Sequence, residues 1–396
     1  MAAHLATLGS TNIGGDYPAS RAVLDTVTAA RAAAATLLGA PSTGEVAFGQ
    51  NCTNLMFHLA RAVEHSGTVA RGDNIVLSRA CHDANIAPWL LLAERCGLEV
   101  RWLEVRGGED DATMDQLCPD VVEDLVDANT RLVSMGLASN ATGRVHTSTL
   151  ERVREVAGGL EERPLLVLDL THFVPHRRAD LRELGADAVI CSAYKFFGPH
   201  LGLMAFDRAR LGDLKPSKVG LRFDGGERRD LLDYGEVPDR DNCEISRWEL
   251  GTLNYEALAG LAACVEYLAG LAPPAGPPCL AAAYREVRRH EERLAARFLE
   301  GLQPLLAEGR VRLLGSREVG DRTPTFALAM PDSRDPLALV TGLNAAGVAC
   351  THGNHYAVCL VDEVLAPTGV TRISLMHYNT LQEVDTVLGI VTDICQ

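Results

Sequence analysis

The stretch AVICSAYKFFGPHLGLMAF, residues 188–206, decides the fold of this chain. Its two apolar runs, Ala188–Ser192 and Gly202–Phe206, have the length and composition of buried strands. The connection between them is too short for a crossover helix, so we expect the second strand to run antiparallel to the first. Lys195 follows the first run within three residues, which places an amine just beyond the end of a strand.

Upstream of this stretch, short apolar runs alternate with amphipathic segments. Strands are predicted over 45–49, 74–78, 99–105, 131–138 and 165–169, and helices over 53–65, 87–96, 115–127 and 149–157. Strand and helix alternating at this spacing are typical of a mainly parallel sheet that is covered on both faces. The sequence therefore predicts an α/β fold, with a mainly parallel seven-stranded sheet in a large domain that spans residues 1–272.

Downstream, a break in the sequence predicts a second domain. A charged, glycine-rich segment over 220–242 is predicted to be an irregular loop, and a helix is predicted over 254–271. The run Pro273-Pro274-Ala275-Gly276-Pro277-Pro278 then interrupts regular structure. A long helix over 280–306, strands near 310–314, 325–329, 348–351 and 371–376, and a last helix over 381–395 follow it. We expect these elements to form a small C-terminal α+β domain, residues 279–396.

Composition limits the classes of partner. The chain has 396 residues and a formal charge of −15, which disfavours nucleic acid or an anionic membrane as the main partner. It has no apolar run of the roughly 18 residues that span a bilayer and no secretory signal at its start, so a cytoplasmic location is expected. The eleven cysteines form no CxxC pair, and reduced thiols without a metal site are expected. His352 and His355 are better explained as the polar rim of a site than as metal ligands.

Two polar side chains stand at predicted strand ends. Asp169 ends the run Leu165–Asp169, and Lys195 lies 26 residues further on, which leaves room for one crossover between neighbouring strands. Ligands in open α/β sheets bind beyond these ends. Pyridoxal 5′-phosphate (PLP) needs an amine for its Schiff base and a carboxylate that keeps its pyridine nitrogen protonated. A structural salt bridge between Asp169 and Lys195 is the alternative.

Seven segments, in order along the chain, resemble those of a known family. They are Asn51-Cys52-Thr53-Asn54, residues 81–89 (CHDANIAPW), Ser139-Asn140-Ala141-Thr142-Gly143, Asp169-Leu170-Thr171-His172, residues 192–202 (SAYKFFGPHLG), Glu249-Leu250-Gly251-Thr252 and residues 372–380 (RISLMHYNT). As a set they resemble the class-V aminotransferases, which are cysteine desulfurase-like PLP enzymes of fold type I. Members usually begin with some tens of further residues, so we expect a wider or differently covered entrance here.

The resemblance implies a role for each matching residue. Lys195 would carry PLP, Asp169 would hold the pyridine nitrogen and His82 would stack on the ring, and these three are the expected catalytic residues. Without the resemblance, His82 would be explained as a structural capping histidine. Further cofactor contacts are expected from Cys52, Thr53, Asn140, His172, Ser192, Tyr194, Gly251 and Thr252. Gly251 and Thr252 would reach the phosphate from the neighbouring subunit of a homodimer. Substrate contacts are expected from Asn140, His355, Tyr356 and Arg372, with Arg372 gripping a carboxylate.

One departure from the family pattern bears on the reaction. Related desulfurases carry a persulfide-forming cysteine where this chain has Tyr356, and neither Cys350 nor Cys359 occupies that position. We therefore expect a PLP-dependent lyase that cleaves the C–S bond of a cysteine S-conjugate by β-elimination in bacterial secondary metabolism. The resemblance extends to enzymes of lincosamide antibiotic pathways that process S-cysteinyl conjugates. Decarboxylation-coupled oxidative deamination, desulfuration, transamination and a non-catalytic scaffold are the alternatives.

Overall fold

A seven-stranded sheet forms the centre of the protein. A computed structural model describes residues 1–9, 11–107, 110–218, 221–224, 227–230, 247–273, 277–331 and 333–396. The strands are β1 (Val46–Gly49), β2 (Asn74–Ser78), β3 (Glu99–Leu103), β4 (Thr130–Gly136), β5 (Leu165–Asp169), β6 (Ala188–Ser192) and β7 (Gly202–Phe206). Their order across the sheet is β1-β7-β6-β5-β4-β2-β3. Only β7 runs against its neighbours, pairing antiparallel with both β6 and β1, which confirms the direction predicted for it.

Helices follow most of the strands. Those in the described part of the chain are α1 (Ala2–Leu8), α2 (Pro18–Leu38), α3 (Cys52–Ser66), α4 (Ala87–Cys96), α5 (Val122–Leu125), α6 (Thr147–Gly158), α7 (Leu181–Leu184), α8 (Arg208–Leu211), α9 (Tyr255–Gly270), α10 (Leu280–Ala307), α11 (Ala338–Ala345), α12 (Val358–Leu360) and α13 (Leu381–Cys395). A π-helical turn, Val361–Leu365, continues α12. None of these helices is both long and apolar enough to cross a membrane.

Both faces of the large sheet are buried. Successive side chains of a strand point to opposite faces, so β5 contributes Leu166 and Leu168 to one core and Val167 to the other. Helices α2, α6 and α9 cover the first face, and α3 and α4 cover the second. Burial on both faces explains why the central strands are continuous apolar runs instead of alternating patterns.

A second sheet is built from the C-terminal part of the chain. Its strands are β10 (Arg312–Leu314), β11 (Thr325–Ala329), β12 (Thr351–Gly353) and β13 (Val370–Ser374), in the antiparallel order β10-β11-β13-β12. Helices α10 and α13 cover it, and the ring of Phe298 lies 4.3 Å from that of Phe326 in the shared core. The predicted domain bounds, 1–272 and 279–396, stay a prediction.

Three predicted elements differ in the structure. The helix predicted over 115–127 is wrong over most of its length, because Pro119 begins a 3₁₀ turn and only α5 is helical. The buried Asp115 is instead engaged by the Thr142 hydroxyl at 2.6 Å and by the Arg144 guanidinium. The strand predicted over 348–351 starts only at Thr351, since the Asn344 amide bonds both the N–H and the C=O of Cys350.

The predicted irregular loop over 220–242 is the third difference. Within it, β8 (Leu221–Asp224) and β9 (Glu227–Asp230) pair as an antiparallel two-stranded sheet. The rest of that segment lies outside the described residues.

Candidate active site

A cavity of about 300 Å³ opens beyond the carboxyl ends of β4, β5 and β6. This is the edge where ligands bind in open α/β sheets, and the volume is sufficient for a small cofactor. The residues that line it come from both sheets: Cys52, Thr53, Cys81, His82, Ala84, Gly136, Ala138, Asn140, Asp169, Thr171, His172, Ser192, Tyr194, Lys195, Thr351, His355, Tyr356 and Arg372. Twelve of the fourteen residues expected from the sequence are therefore at one place.

Lys195 projects into the cavity from a 3₁₀ turn, Ala193–Phe196, that follows β6 directly. Its Nζ lies 5.3 Å from the centre of the Tyr194 ring. Removal from water lowers the pKa of Lys195, the positive charge of Arg372 lowers it further, and Asp169 acts in the opposite direction. A lysine with a lowered pKa is more often unprotonated and so more nucleophilic.

Asp169 stands at the end of β5 and is buried. One of its carboxylate oxygens accepts a hydrogen bond from the N–H of Thr171 at 2.8 Å, which fixes the carboxylate at the floor of the cavity. Its negative charge adds to burial in raising the pKa values of the neighbouring thiols, Cys81 to about 11 and Cys52 well above the usual value. These thiols are therefore neutral.

His82 is held in place by its own turn. Its Nδ1 accepts the N–H of Ala84 at 3.0 Å. The preceding Cys81 is anchored by the Gly136 N–H, which donates to its Sγ at 3.0 Å. Burial is the main cause of the lowered pKa of His82. A neutral, fixed imidazole at the cavity wall suits the stacking role that the sequence predicts, and that role stays a prediction.

His172 faces the cavity from the segment after β5. Its Nε2 lies 3.1 Å from the hydroxyl of Thr325 on β11 and 3.3 Å from that of Thr323. Burial, followed by the nearby His176, holds the pKa of His172 well below its ordinary value. The second sheet therefore orients a side chain of the first, and this ring is neutral at physiological pH.

Arg372, on β13, brings a guanidinium to the opposite wall. It donates to the carbonyl oxygen of Asn140 at 2.9 Å, and the Asn140 amide nitrogen donates to the carbonyl oxygen of His355 at 2.8 Å. Burial lowers the pKa of Arg372, and it lowers that of His355 to about 4. The side-chain oxygen of Asn140 is buried and has no partner among the described residues, so it is available to a bound ligand.

The first two residues of α3, Cys52 and Thr53, line the cavity. Asn51 caps this helix by accepting the N–H of Asn54 at 2.8 Å, and the hydroxyl of Ser192 accepts the N–H of Cys52 at 2.8 Å. Thr53 extends its exposed side chain into the same cavity. Helix N-termini of this kind favour phosphate groups. An amine, a buried carboxylate, an unpartnered amide oxygen and a helix N-terminus together fit PLP.

Gly251 and Thr252 are the two expected residues that this chain does not bring to the cavity. They line a separate cavity beside Phe48, His58 and Trp248. The neighbouring Glu249 is buried in an ion pair with Arg31 at 2.8 Å, which anchors the segment. Contact with the phosphate would require a second copy of the chain, and it stays a prediction.

Sequence reasoning missed several residues of the cavity. Cys81, Ala84, Gly136, Ala138, Thr171 and Thr351 line it but were not expected as site residues. Thr171 lies between two residues that were expected, so its place at a strand end was a usable signal. Thr351 and Thr325 belong to the second sheet. Nothing in the sequence around them indicates that this sheet packs beside the cavity at the edge of the seven-stranded sheet.

Comparison with known proteins agrees with this geometry. The Aminotransferase class-V family model matches residues 8–387. The chain is 30% identical to a probable cysteine desulfurase of Aeropyrum pernix, over 89% of this chain and 80% of that protein. It is 27% identical to the aminotransferase-like protein FGM3 of Gibberella zeae, over 87% of this chain and 77% of that protein.

A solved structure shows the same fold. The apo structure of the cysteine desulfurase from Thermococcus onnurineus NA1 superposes with a TM-score of 0.81 at 22% identity, covering 99% of this chain and 89% of that one. The match to the family model extends over nearly the whole chain. This protein therefore belongs to the class-V aminotransferase family of PLP-dependent, fold-type-I enzymes, which includes cysteine desulfurase-like members.

Proposed function

We propose that the protein is a C–S lyase that acts on a cysteine S-conjugate. The conjugate R–S–CH₂–CH(NH₃⁺)–COO⁻ loses its Cα proton and the thiolate RS⁻, giving 2-aminoacrylate, and the thiolate takes up a proton to leave as RSH. Water then converts 2-aminoacrylate to pyruvate and ammonium. The proton, the leaving group and all electrons are accounted for without an added oxidant.

The burial of the two cavity thiols, Cys52 and Cys81, is the observation that carries this proposal. Cys52 and Cys81 line the cavity, and burial raises the pKa of both, so neither is a ready thiolate acceptor for sulfur. Tyr356 also lines the cavity, and it stands at the position where the sequence resemblance implies the reactive cysteine of desulfurases. Elimination needs no sulfur acceptor from the protein, which favours it over desulfuration.

Lys195, Asp169 and the first turn of α3 would each have a separate role in the reaction. When bound, PLP supplies an electron sink that stabilises negative charge at Cα. Lys195 would hold the cofactor and, once displaced by the substrate amine, would take the Cα proton on its Nζ, for which its lowered pKa suits it. Asp169 would hold a proton on the pyridine nitrogen, and the first turn of α3 would hold the phosphate.

Substrate orientation would fall to the opposite wall. Arg372 can grip the substrate carboxylate with two parallel hydrogen bonds, and the free side-chain oxygen of Asn140 can accept from the substrate amine. His82 and His355 are neutral, so they leave the positive charge of Arg372 as the dominant attraction for an anion. We further propose a homodimer with Thr252 at the partner's phosphate, a cytoplasmic location and a place in bacterial antibiotic biosynthesis.

The test is product analysis with the PLP-loaded enzyme and an S-alkyl cysteine. Thiol, pyruvate and ammonia in equal amounts are expected, and Lys195→Ala should abolish them. A carbonyl product with carbon dioxide would replace elimination by decarboxylating deamination. Turnover that depends on an added keto acid would indicate transamination, and sulfur released only from free cysteine would indicate desulfuration.

A further inference from the structure

Two consecutive residues at the cavity mouth adopt a strained backbone. His355 has φ of 53° and Tyr356 has φ of 58°, and Phe197 is the other non-glycine residue with positive φ in the described part of the chain. Residues other than glycine seldom take this left-handed conformation, and two in succession are rarer still. Strain of this kind persists only where the surroundings enforce it, and it concentrates at functional sites.

Two hydrogen bonds of the Asn354 side chain support the conformation. The side-chain oxygen of Asn354 accepts the N–H of Tyr356 at 3.0 Å, while its amide nitrogen donates to Asp362 at 2.8 Å. The Asp362 carboxylate belongs to the π-helical turn Val361–Leu365, itself a rare element that is frequent near functional sites. The loop is therefore braced from behind by a specialised turn.

The same pair is also tied to the wall of the cavity. The Asp83 N–H donates to the carbonyl oxygen of Tyr356 at 2.7 Å, next to His82. The Asn140 amide donates to the carbonyl oxygen of His355 at 2.8 Å, next to the contact with Arg372. The backbone of Tyr356 is thus fixed relative to both the proposed cofactor wall and the proposed carboxylate site.

The aromatic ring of Tyr356 is exposed to solvent at the cavity mouth. Tyr356 is 70% exposed, although it lines the cavity, and its ring centre lies 5.5 Å from that of His82 at an interplanar angle of 31°. Packing against another apolar or planar group gives a large aromatic ring a favourable free energy of binding. A strained backbone that holds such a ring exposed at a cavity mouth indicates a binding surface that is completed by the ligand.

We propose that Tyr356 is the specificity-determining contact for a planar, apolar S-substituent of the conjugate. This inference rests on the proposed C–S lyase function. A substrate whose carboxylate is held by Arg372 and whose Cα lies near Lys195 must direct its S-substituent away from both, toward the mouth. Tyr356 lies at the mouth, so its ring covers the S-substituent, while the residues deeper in the cavity contact the amino acid part of the substrate.

The test measures binding, so that it does not depend on turnover. α-Methyl analogues of S-phenylcysteine and S-methylcysteine lack the Cα proton and cannot be eliminated, and each is titrated calorimetrically into PLP-loaded enzyme. Tyr356→Gly removes the ring and accepts positive φ, so it should weaken the phenyl analogue about tenfold and the methyl analogue less than twofold. Tyr356→Phe keeps the ring and should bind both as the wild type does.

Two outcomes would overturn the inference. Tyr356→Gly could leave both affinities unchanged, or it could weaken both analogues equally, as a loop that has lost its shape would. The measurement is repeated with Tyr356→Asn. Asparagine also tolerates positive φ, so this variant removes the ring without adding the backbone freedom of glycine. If binding of the phenyl analogue depends on Tyr356 as expected but the wild-type enzyme releases no thiol from S-phenylcysteine, the lyase function is refuted and the binding surface stands.

Discussion

The buried ion pair between Glu249 and Arg31 gives a prediction whose magnitude follows from its contacts. One Glu249 oxygen accepts from the Arg31 guanidinium at 2.8 Å, and the other accepts from the N–H of Phe48 at 3.1 Å. Both side chains are almost fully buried. Glu249→Leu leaves a buried cation whose remaining acceptor is the carbonyl oxygen of Val46 at 2.8 Å. We expect the free energy of unfolding to fall by about 3–5 kcal/mol.

A double variant separates the charge effect from the packing effect. Arg31→Met combined with Glu249→Leu removes both charges, so it should cost less than either single change. Urea unfolding followed by tryptophan fluorescence is a suitable assay, because Trp248 is buried and directly precedes Glu249 in the sequence. The exposed pair on α10 provides the control, since Glu292→Ala should cost only about 0.5 kcal/mol. A loss below about 1 kcal/mol for Glu249→Leu, or strictly additive single effects, would refute this reasoning.

Three further predictions concern the site and its frame. Asp169→Asn keeps an acceptor for the Thr171 N–H, so it should lower pyruvate release on the order of 100-fold in initial-rate assays while the melting temperature stays nearly unchanged. Burial lowers the pKa of His146 to about 3, and only the unfolded chain takes up the proton between pH 6.5 and that value. Wild-type stability should therefore fall by about 1.4 kcal/mol per pH unit below pH ~6.5 from this residue, and His146→Gln should lose that part of the slope in urea titrations. Gly143 has φ of 81°, and a Cβ there would lie 2.6 Å from the carbonyl oxygen of Thr325, so Gly143→Ala should cost about 3 kcal/mol in calorimetry.

Local patterns predicted the large sheet well. β2, β5, β6 and β7 have the predicted bounds, because each is an apolar run closed by polar or turn residues. The short connection after Lys195 was sufficient to give the direction of β7. The location of the cavity was also predictable from the strands, because the carboxyl ends of neighbouring parallel strands lie at the same edge of the sheet.

The features that the sequence did not predict depend on contacts between residues that are far apart along the chain. Asp115 lies within a sequence that reads as a helix, but its carboxylate is engaged by Arg144 and Thr142, 29 and 27 residues away. The contact of Thr325 with His172 joins residues 153 positions apart, and no periodicity reports it. The left-handed pair His355 and Tyr356 is held by the distant Asn140 and Asp83 as well as by the neighbouring Asn354, so the local sequence accounts for only part of its conformation.

The attachment of PLP to Lys195 is the central claim, and borohydride trapping tests it most directly. Enzyme reconstituted with PLP is reduced, digested and mapped by mass spectrometry, with Lys195→Ala as the control. We expect the visible absorbance to disappear on reduction and the cofactor to be fixed on the peptide that contains Lys195 alone. Lys215 and Lys218 are the other lysines of the chain. Cofactor fixed on either of these, or trapped equally by the Lys195→Ala variant, would contradict the account.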